Sequence, residues 1–328
     1  MFGFKRILVV LFCVLFLLLL ASTSWADNDK VILKLGHTGS LTHHYHEGSL
    51  MFRDIVAEKS DGVIEIKIFP ADQLGTQREL VEGAQLGSID LVLTSDVLLS
   101  SFEPIMGALN LPFIFKDIEH VSRVLDGKIG EELSRKLEVK GLVVLAYWEN
   151  GFRHITNSKR AIYIPEDLKG LKIRTPGGAV FVDTFNIYGA SATPMSFGEL
   201  YSAMQLRTVD GQENPVAHVL TKKFYEVQKY LSLTNHIHVS EPLVMSKKIY
   251  DRLEPKCQEI LKEAAKEVAI WMRNEVGRIE GSQLEKLGEL IEINEADTEA
   301  FRNASEKVYT KYRPIFGGLI DEIKVAAQ

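Results

Sequence analysis

The sequence predicts an α/β protein built from two strand-helix blocks in series. Three observations carry that expectation. Val63-Ile-Glu-Ile-Lys-Ile-Phe69 alternates apolar and charged residues, the period-2 signature of a strand. Strand-like and helix-like segments then follow one another along the chain, which argues for a largely parallel sheet. From Cys257 to Ile279 an apolar stripe keeps near the 3.6 period, as in a long helix.

The elements can be justified in order. Val31–Leu35 reads as a strand and Gly36-His-Thr-Gly39 as the turn after it. His46–Lys59 carries Leu50, Met51, Ile55 and Val56 near helical spacing and stops at Ser60-Asp-Gly62. Pro70 ends the strand Val63–Phe69, because it cannot donate to a ladder. Glu79–Leu86 is a helix closed by Gly87, and Ile89–Leu93 is a further strand. Leu142–Ala146 is a buried strand leading into Trp148–His154, and the first block gives way to the second near residue 150. Ile164–Gly170 is a loop and turn. Leu171–Arg174 is a strand cut short by Thr175-Pro176-Gly-Gly178. Phe181–Tyr188 reads as a helix and Gly189–Pro194 as a strand or loop. Ser196-Phe-Gly-Glu199 fits a capping box for a helix reaching Gln205, and Val209–Pro215 reads as a tight polar turn. The stripe from Glu254 predicts a helix of roughly 35 Å at 1.5 Å per residue, long enough to lie across two domains. Phe301–Ala326 is a second, more broken helical stretch.

The first 26 residues have the layout of a secretory signal peptide: basic Lys5 and Arg6, an apolar run from Ile7 to Leu20, and small residues at Ser24 and Ala26. The run is short of the roughly 20 residues that a permanent span needs. Cleavage after Ala26 and a periplasmic location are expected; retention as an anchor is the alternative. Cys13 lacks the small-residue context of a lipid attachment site. Without this segment, 36 basic residues face 44 acidic ones, a net charge of about −8. That opposes nucleic acid or an anionic membrane as the main partner. Cys257 is then the only cysteine, so no internal disulfide forms.

Few motifs of catalysis appear. The chain has no phosphate-binding glycine loop, no His-Glu-x-x-His and no Gly-x-Ser-x-Gly. His43, His44 and His46 cluster, but no partner at ligand spacing completes a metal set; no metal or other cofactor is expected. Asp210 and Glu213 read first as turn chemistry. The positive signal is Arg153, just past a buried strand and preceded by Asn150-Gly151, and Arg174, at the end of another strand. In open α/β sheets ligands bind beyond the carboxyl ends of strands. A guanidinium there offers a carboxylate two parallel hydrogen bonds.

Five ordered motifs now stand together: Asn150–Asn157, Pro165–Arg174, Gly189–Glu199, Val209–Pro215 and Phe224–Tyr230. With Gln73-Leu-Gly75 and Gly87-Ser-Ile-Asp90 they resemble the DctP-like solute-binding proteins of tripartite ATP-independent periplasmic (TRAP) transporters, over nearly the whole exported chain. The resemblance implies a two-lobed clamshell tied by a long helix. Lobe I would hold residues 27–150 and about 240–279, lobe II residues 151–239 and about 280–328. It implies an organic-acid ligand, the small and large TRAP membrane subunits as partners, a monomer, and no turnover. By position, Arg174 matches the arginine that pairs with the ligand carboxylate, Arg153 a second arginine, Asn214 a hydrogen-bonding asparagine and Phe197 an aromatic wall. Thr38, Gln77, Ser95, Asn150, Asn235 and His236 would complete the site. The sialic acid subgroup, similar through Ala203-Met-Gln205 and Thr234-Asn-His-Ile237, carries acids where Gln77 and Ser95 stand. Neutral groups there suit hydroxyls, which favours a uronate or aldonate. A C4-dicarboxylate, a keto acid or sialic acid stays open, as does a periplasmic enzyme using Glu149 and Glu213 on acidic sugars.

Overall fold

The computed structural model describes residues 30–327. The segment read as a signal peptide lies outside the described residues. Among those residues eleven strands form two sheets: β1 Val31–Gly36, β2 Ile64–Phe69, β3 Leu91–Leu93, β4 Leu142–Phe152, β5 His154–Asn157, β6 Lys172–Thr175, β7 Ser191–Pro194, β8 Gly211–Asn214, β9 Tyr230–Leu233, β10 His238–Ser246 and β11 Glu292–Glu295. The orders are β2-β1-β3-β10-β4 and β11-β9-β5-β8-β6-β7.

Each sheet is parallel except for one strand. In the first sheet β10 is antiparallel to both β3 and β4. In the second, β5 is antiparallel to both β8 and β9. These are the strands that have just arrived from the other sheet. Only Arg153 separates β4 from β5, and residues 234–237 carry the chain back from β9 to β10. The two crossings lie side by side: the Arg153 amide donates to the Ile237 carbonyl at 2.9 Å.

A third link is the helix Pro255–Gly288, whose 34 residues extend about 51 Å at 1.5 Å per residue, longer than the sequence stripe predicted. Proline in its first turn has no amide to leave unsatisfied. Ala264, Val268 and Met272 pack with Phe52 and Trp148 under the first sheet. The Trp148 indole N–H donates to the Ala265 carbonyl at 2.9 Å. Further along, Leu284 and Leu287 pack with Leu231 and Ile291 of the second sheet's core.

Three local expectations are corrected. The helix after Thr76 begins at Gln77, because Thr76 and Glu79 form the capping box. The box expected at Ser196 and Glu199 does not form; the helix Leu200–Gln205 has no side-chain cap. Val209–Pro215 is not a turn throughout: its centre is β8, a buried strand between β5 and β6. The C-terminal stretch, assigned above to lobe II, is shared. Phe301 packs with Ile155, Ile173 and Phe185, whereas Val308, Tyr312, Phe316 and Ile320 pack with Met106, Leu109 and Val121. Pro314 and Gly317, at φ 51°, break it into Thr298–Phe316 and Gly318–Val325.

Candidate functional site

β6 delivers Arg174 to the cleft. Its guanidinium is 3% exposed and donates through Nε and Nη2 to the Met195 carbonyl, at 3.1 and 2.8 Å. No carboxylate among the described residues lies within ion-pair distance, and Nη1 has no protein partner there. Burial pulls the guanidinium down to about 10, an unusual cost for arginine, with Glu213 opposing that shift and Arg153 adding to it. The Phe197 ring stands 5.9 Å from the guanidinium carbon.

Arg153 is equally buried but fully answered. Its Nε and Nη2 grip the Glu213 carboxylate at 2.5 and 2.8 Å, and Nη2 also reaches the Glu213 carbonyl and Asn214 Oδ1. β8 can hold Gln212, Glu213 and Asn214 in a sheet interior because each finds a partner: Gln212 donates to Thr156 Oγ1 at 2.9 Å, and Asn214 Nδ2 donates to Gln212 Oε1. Burial, the largest single effect, works against ionised Glu213, but Arg153 and His236 together hold the carboxyl below its ordinary value.

The first sheet supplies the facing wall. Gln77 Nε2 donates to Thr38 Oγ1 and to Glu241 Oε1, at 3.4 and 3.2 Å. The Ser95 hydroxyl donates to Gln77 Oε1 at 3.1 Å. Glu241 Oε2 accepts from the Tyr45 hydroxyl at 2.9 Å and from Asn150 Nδ2 at 3.2 Å. Burial, aided by the nearby Asp96, pushes the Glu241 carboxyl up to about 8.

The structure thus gathers Thr38, Gln77, Ser95, Asn150, Arg153, Arg174, Phe197 and Asn214 around one inner chamber of about 40 Å³. Thr38, Gln77, Arg174, Pro176 and Phe197 also line an adjoining outer chamber of about 290 Å³. The inner chamber has room for about one to three waters. A larger guest must extend outward or part the walls.

Two of the sequence-predicted residues stand elsewhere. His236 is sealed behind the site: Nδ1 meets Thr234 Oγ1 at 2.7 Å, and Nε2 lies 3.4 Å from Glu213. Asn235, at φ 45°, turns away and lines a separate pocket with Phe113 and Arg302. Conversely, Glu241, Tyr45 and His218 line the chamber without having been singled out as site residues. Glu241 left one trace in the sequence: it is the lone acid in the strand His238–Ser246.

Among the described residues no group of three or more His, Cys, Asp or Glu has metal-holding geometry, and the histidine cluster divides between two contacts. His43, at the start of the helix His44–Lys59, stacks on His218 of the helix Val216–Thr221 with centroids 4.2 Å apart. His46 turns to His37 instead, at 3.3 Å. Burial drives His43 and His218 well below the usual histidine value, so both stack as neutral rings. The carboxylates proposed for hydrolysis do not meet either. Glu149 is bonded to His238 at 2.6 Å and lines a different pocket, and Glu213 is held by Arg153.

Two lobes joined by two strand crossings and one shared helix, with a cleft arginine that meets no carboxylate among the described residues, define a solute-binding protein. The chain belongs to the bacterial extracellular solute-binding protein family 7, the DctP family, whose sequence model matches residues 35–314. It is 37% identical over 292 residues to the 2,3-diketo-L-gulonate-binding periplasmic protein YiaO of Escherichia coli, covering 88% of this chain and 89% of that protein. A TRAP periplasmic solute-binding protein from Polaromonas sp. JS666, bound to D-erythronate, superposes with a TM-score of 0.88 at 38% identity, covering 90% of this chain and 98% of that one. The sugar acid binding protein DctPAm from Advenella mimigardefordensis, in complex with galactonate, gives 0.88 at 33% identity, covering 92% and 99%. The family and these neighbours are binding proteins of TRAP transport systems, and the family is periplasmic.

Proposed function

We propose that this protein captures a sugar acid, an aldonate or a uronate, and presents it to the small and large TRAP membrane subunits as a soluble monomer released by cleavage after Ala26. The observation that carries the reading is Arg174, a buried guanidinium whose only described partner is a carbonyl. A ligand carboxylate would answer its charge. Thr38, Gln77, Ser95 and Asn214 would take hydroxyls, since each offers a neutral donor or acceptor. The neighbours' ligands named above, diketogulonate, erythronate and galactonate, are hydroxylated acids of this kind.

Capture needs motion. Phe152–His154, residues 234–237 and the long helix are the links about which the lobes would part. The ligand favours the closed form by binding it better than the open one. A thermal-shift screen of aldonates, uronates, C4-dicarboxylates and keto acids tests the reading. A ligand at a hundred times its dissociation constant adds about 2.7 kcal/mol of stability. Shifts confined to hydroxylated acids support the reading; shifts confined to dicarboxylates, or none, refute it.

A further inference from the structure

One ionisable group of the inner chamber has no task in that reading. Glu241 stands on β10, facing Arg174 across the chamber that both line, and is 1% exposed. No lysine or arginine among the described residues lies within ion-pair distance of it. Its Oε2 accepts from Tyr45 and Asn150, while Oε1 accepts only from Gln77. A carboxylate offers about four acceptor positions, so Oε1 keeps capacity for another donor.

The charges around Glu241 decide what that partner can be. From the helix His44–Lys59 comes Tyr45, a neutral phenol. Asp96, behind the first sheet's wall, is an acid held by Ser240 and Asn110. From the crossing comes Arg153, already neutralised by Glu213. From the far lobe come His218, a neutral ring, and Arg174, the one chamber cation without an acid. A first carboxylate on Arg174 uses the one cation lining the inner chamber that meets no acid among the described residues; Lys222 stands outside that lining, over the Phe197 ring. A second carboxylate at the other end of the ligand would meet Glu241 with no cation left for it.

Resting on the sugar-acid reading, we propose that Glu241 is a specificity determinant: it accepts a hydroxyl of the ligand and excludes a second carboxylate. Ionised, it takes a hydrogen bond from the hydroxyl and repels an anion. Protonated, as burial favours near neutral pH, it still pairs with a hydroxyl; an anion there would remain buried without a counter-charge, which is costly.

The matched probes are aldonates and the aldarates of the same carbon skeleton, gluconate with glucarate and galactonate with galactarate. They differ in a terminal CH2OH against a carboxylate. Calorimetric titration of the wild-type protein at pH 9, where Glu241 is ionised, is expected to favour the aldonate by about a hundredfold. In Glu241→Gln that ratio is expected to shrink by about tenfold or more, with the aldonate still bound. A wild-type ratio within threefold, or an unchanged ratio in the variant, overturns the proposal. Should the variant not fold, the wild-type protein answers alone: the ratio is expected to widen from pH 6.5 to 9 as Glu241 ionises, and a flat ratio overturns the proposal. If neither member of either pair binds while C4-dicarboxylates do, the sugar-acid reading falls, and this inference with it.

Discussion

Arg153 and Arg174 reach the cleft from the same half of the molecule and are equally buried, at 3% exposure, yet among the described residues only Arg153 is met by a carboxylate. Arg153 ties β5 to β8 through Glu213 and helps to hold the cleft floor. Arg174 is placed by one carbonyl and left charged. The facing wall is different again: Gln77, Ser95, Thr38 and Asn150 form a neutral network around Glu241. On the proposed reading, one side of the cleft holds a charge for the ligand carboxylate, and the other would take its hydroxyls. A buried charge that meets no acid among the described residues is an expense to the fold, which is why Arg174 is proposed as the ligand's partner and Arg153 as a structural group first.

The largest effect is expected at the paired arginine. Glu213→Ala leaves Arg153 buried and unanswered, and is expected to lower stability by about 3–5 kcal/mol. Urea denaturation measures this, and a loss below 1 kcal/mol would contradict the structural role. The same measurement on Arg174→Met, without ligand, is expected to show no loss, or a gain, because a desolvated charge is replaced by an apolar chain.

Acid sharpens the contrast between the lobes at their other contact. His43 and His218 are held neutral by burial where their rings stack. Their folded values lie below the unfolded 6.5, so the unfolded or open form binds more protons as pH falls, and stability drops with it. One unit below 6.5 each such histidine costs about 1.4 kcal/mol. His44, lowered to about 4, adds to the effect. In Glu241→Gln, which removes the opposing titration of that raised carboxyl, melting temperature is expected to be flat above pH 7 and to decline between pH 6.5 and 5. A profile flat to pH 5 would contradict a buried, neutral stack. The smallest effect is expected at Asn235, which lies outside the chamber. Asn235→Gly suits its positive φ and is expected to leave affinity within twofold in a titration.

The fold was largely legible because its strands and helices obey their own periodicities. What was hidden depended on partners distant in sequence. Gln212-Glu-Asn214 looks like a turn until Arg153 and Thr156 are seen to satisfy it; a polar run can form a central strand only with such partners. Arg174 was readable from its place at a strand end. Glu241 was not, since alternation along β10 says which residues are buried but not that one faces a chamber. Asn235 and His236 sit beside the site in sequence, but the chain turns between the two sheets there and points them elsewhere.

Arg174 is proposed as the anion receptor. Isothermal titration of the acid with the largest thermal shift into wild-type protein and Arg174→Met tests it most directly. Loss of a charge pair that closes over its ligand is expected to weaken binding by 2–5 kcal/mol, about thirtyfold to several thousandfold. Binding by the variant within twofold of wild type would contradict the account.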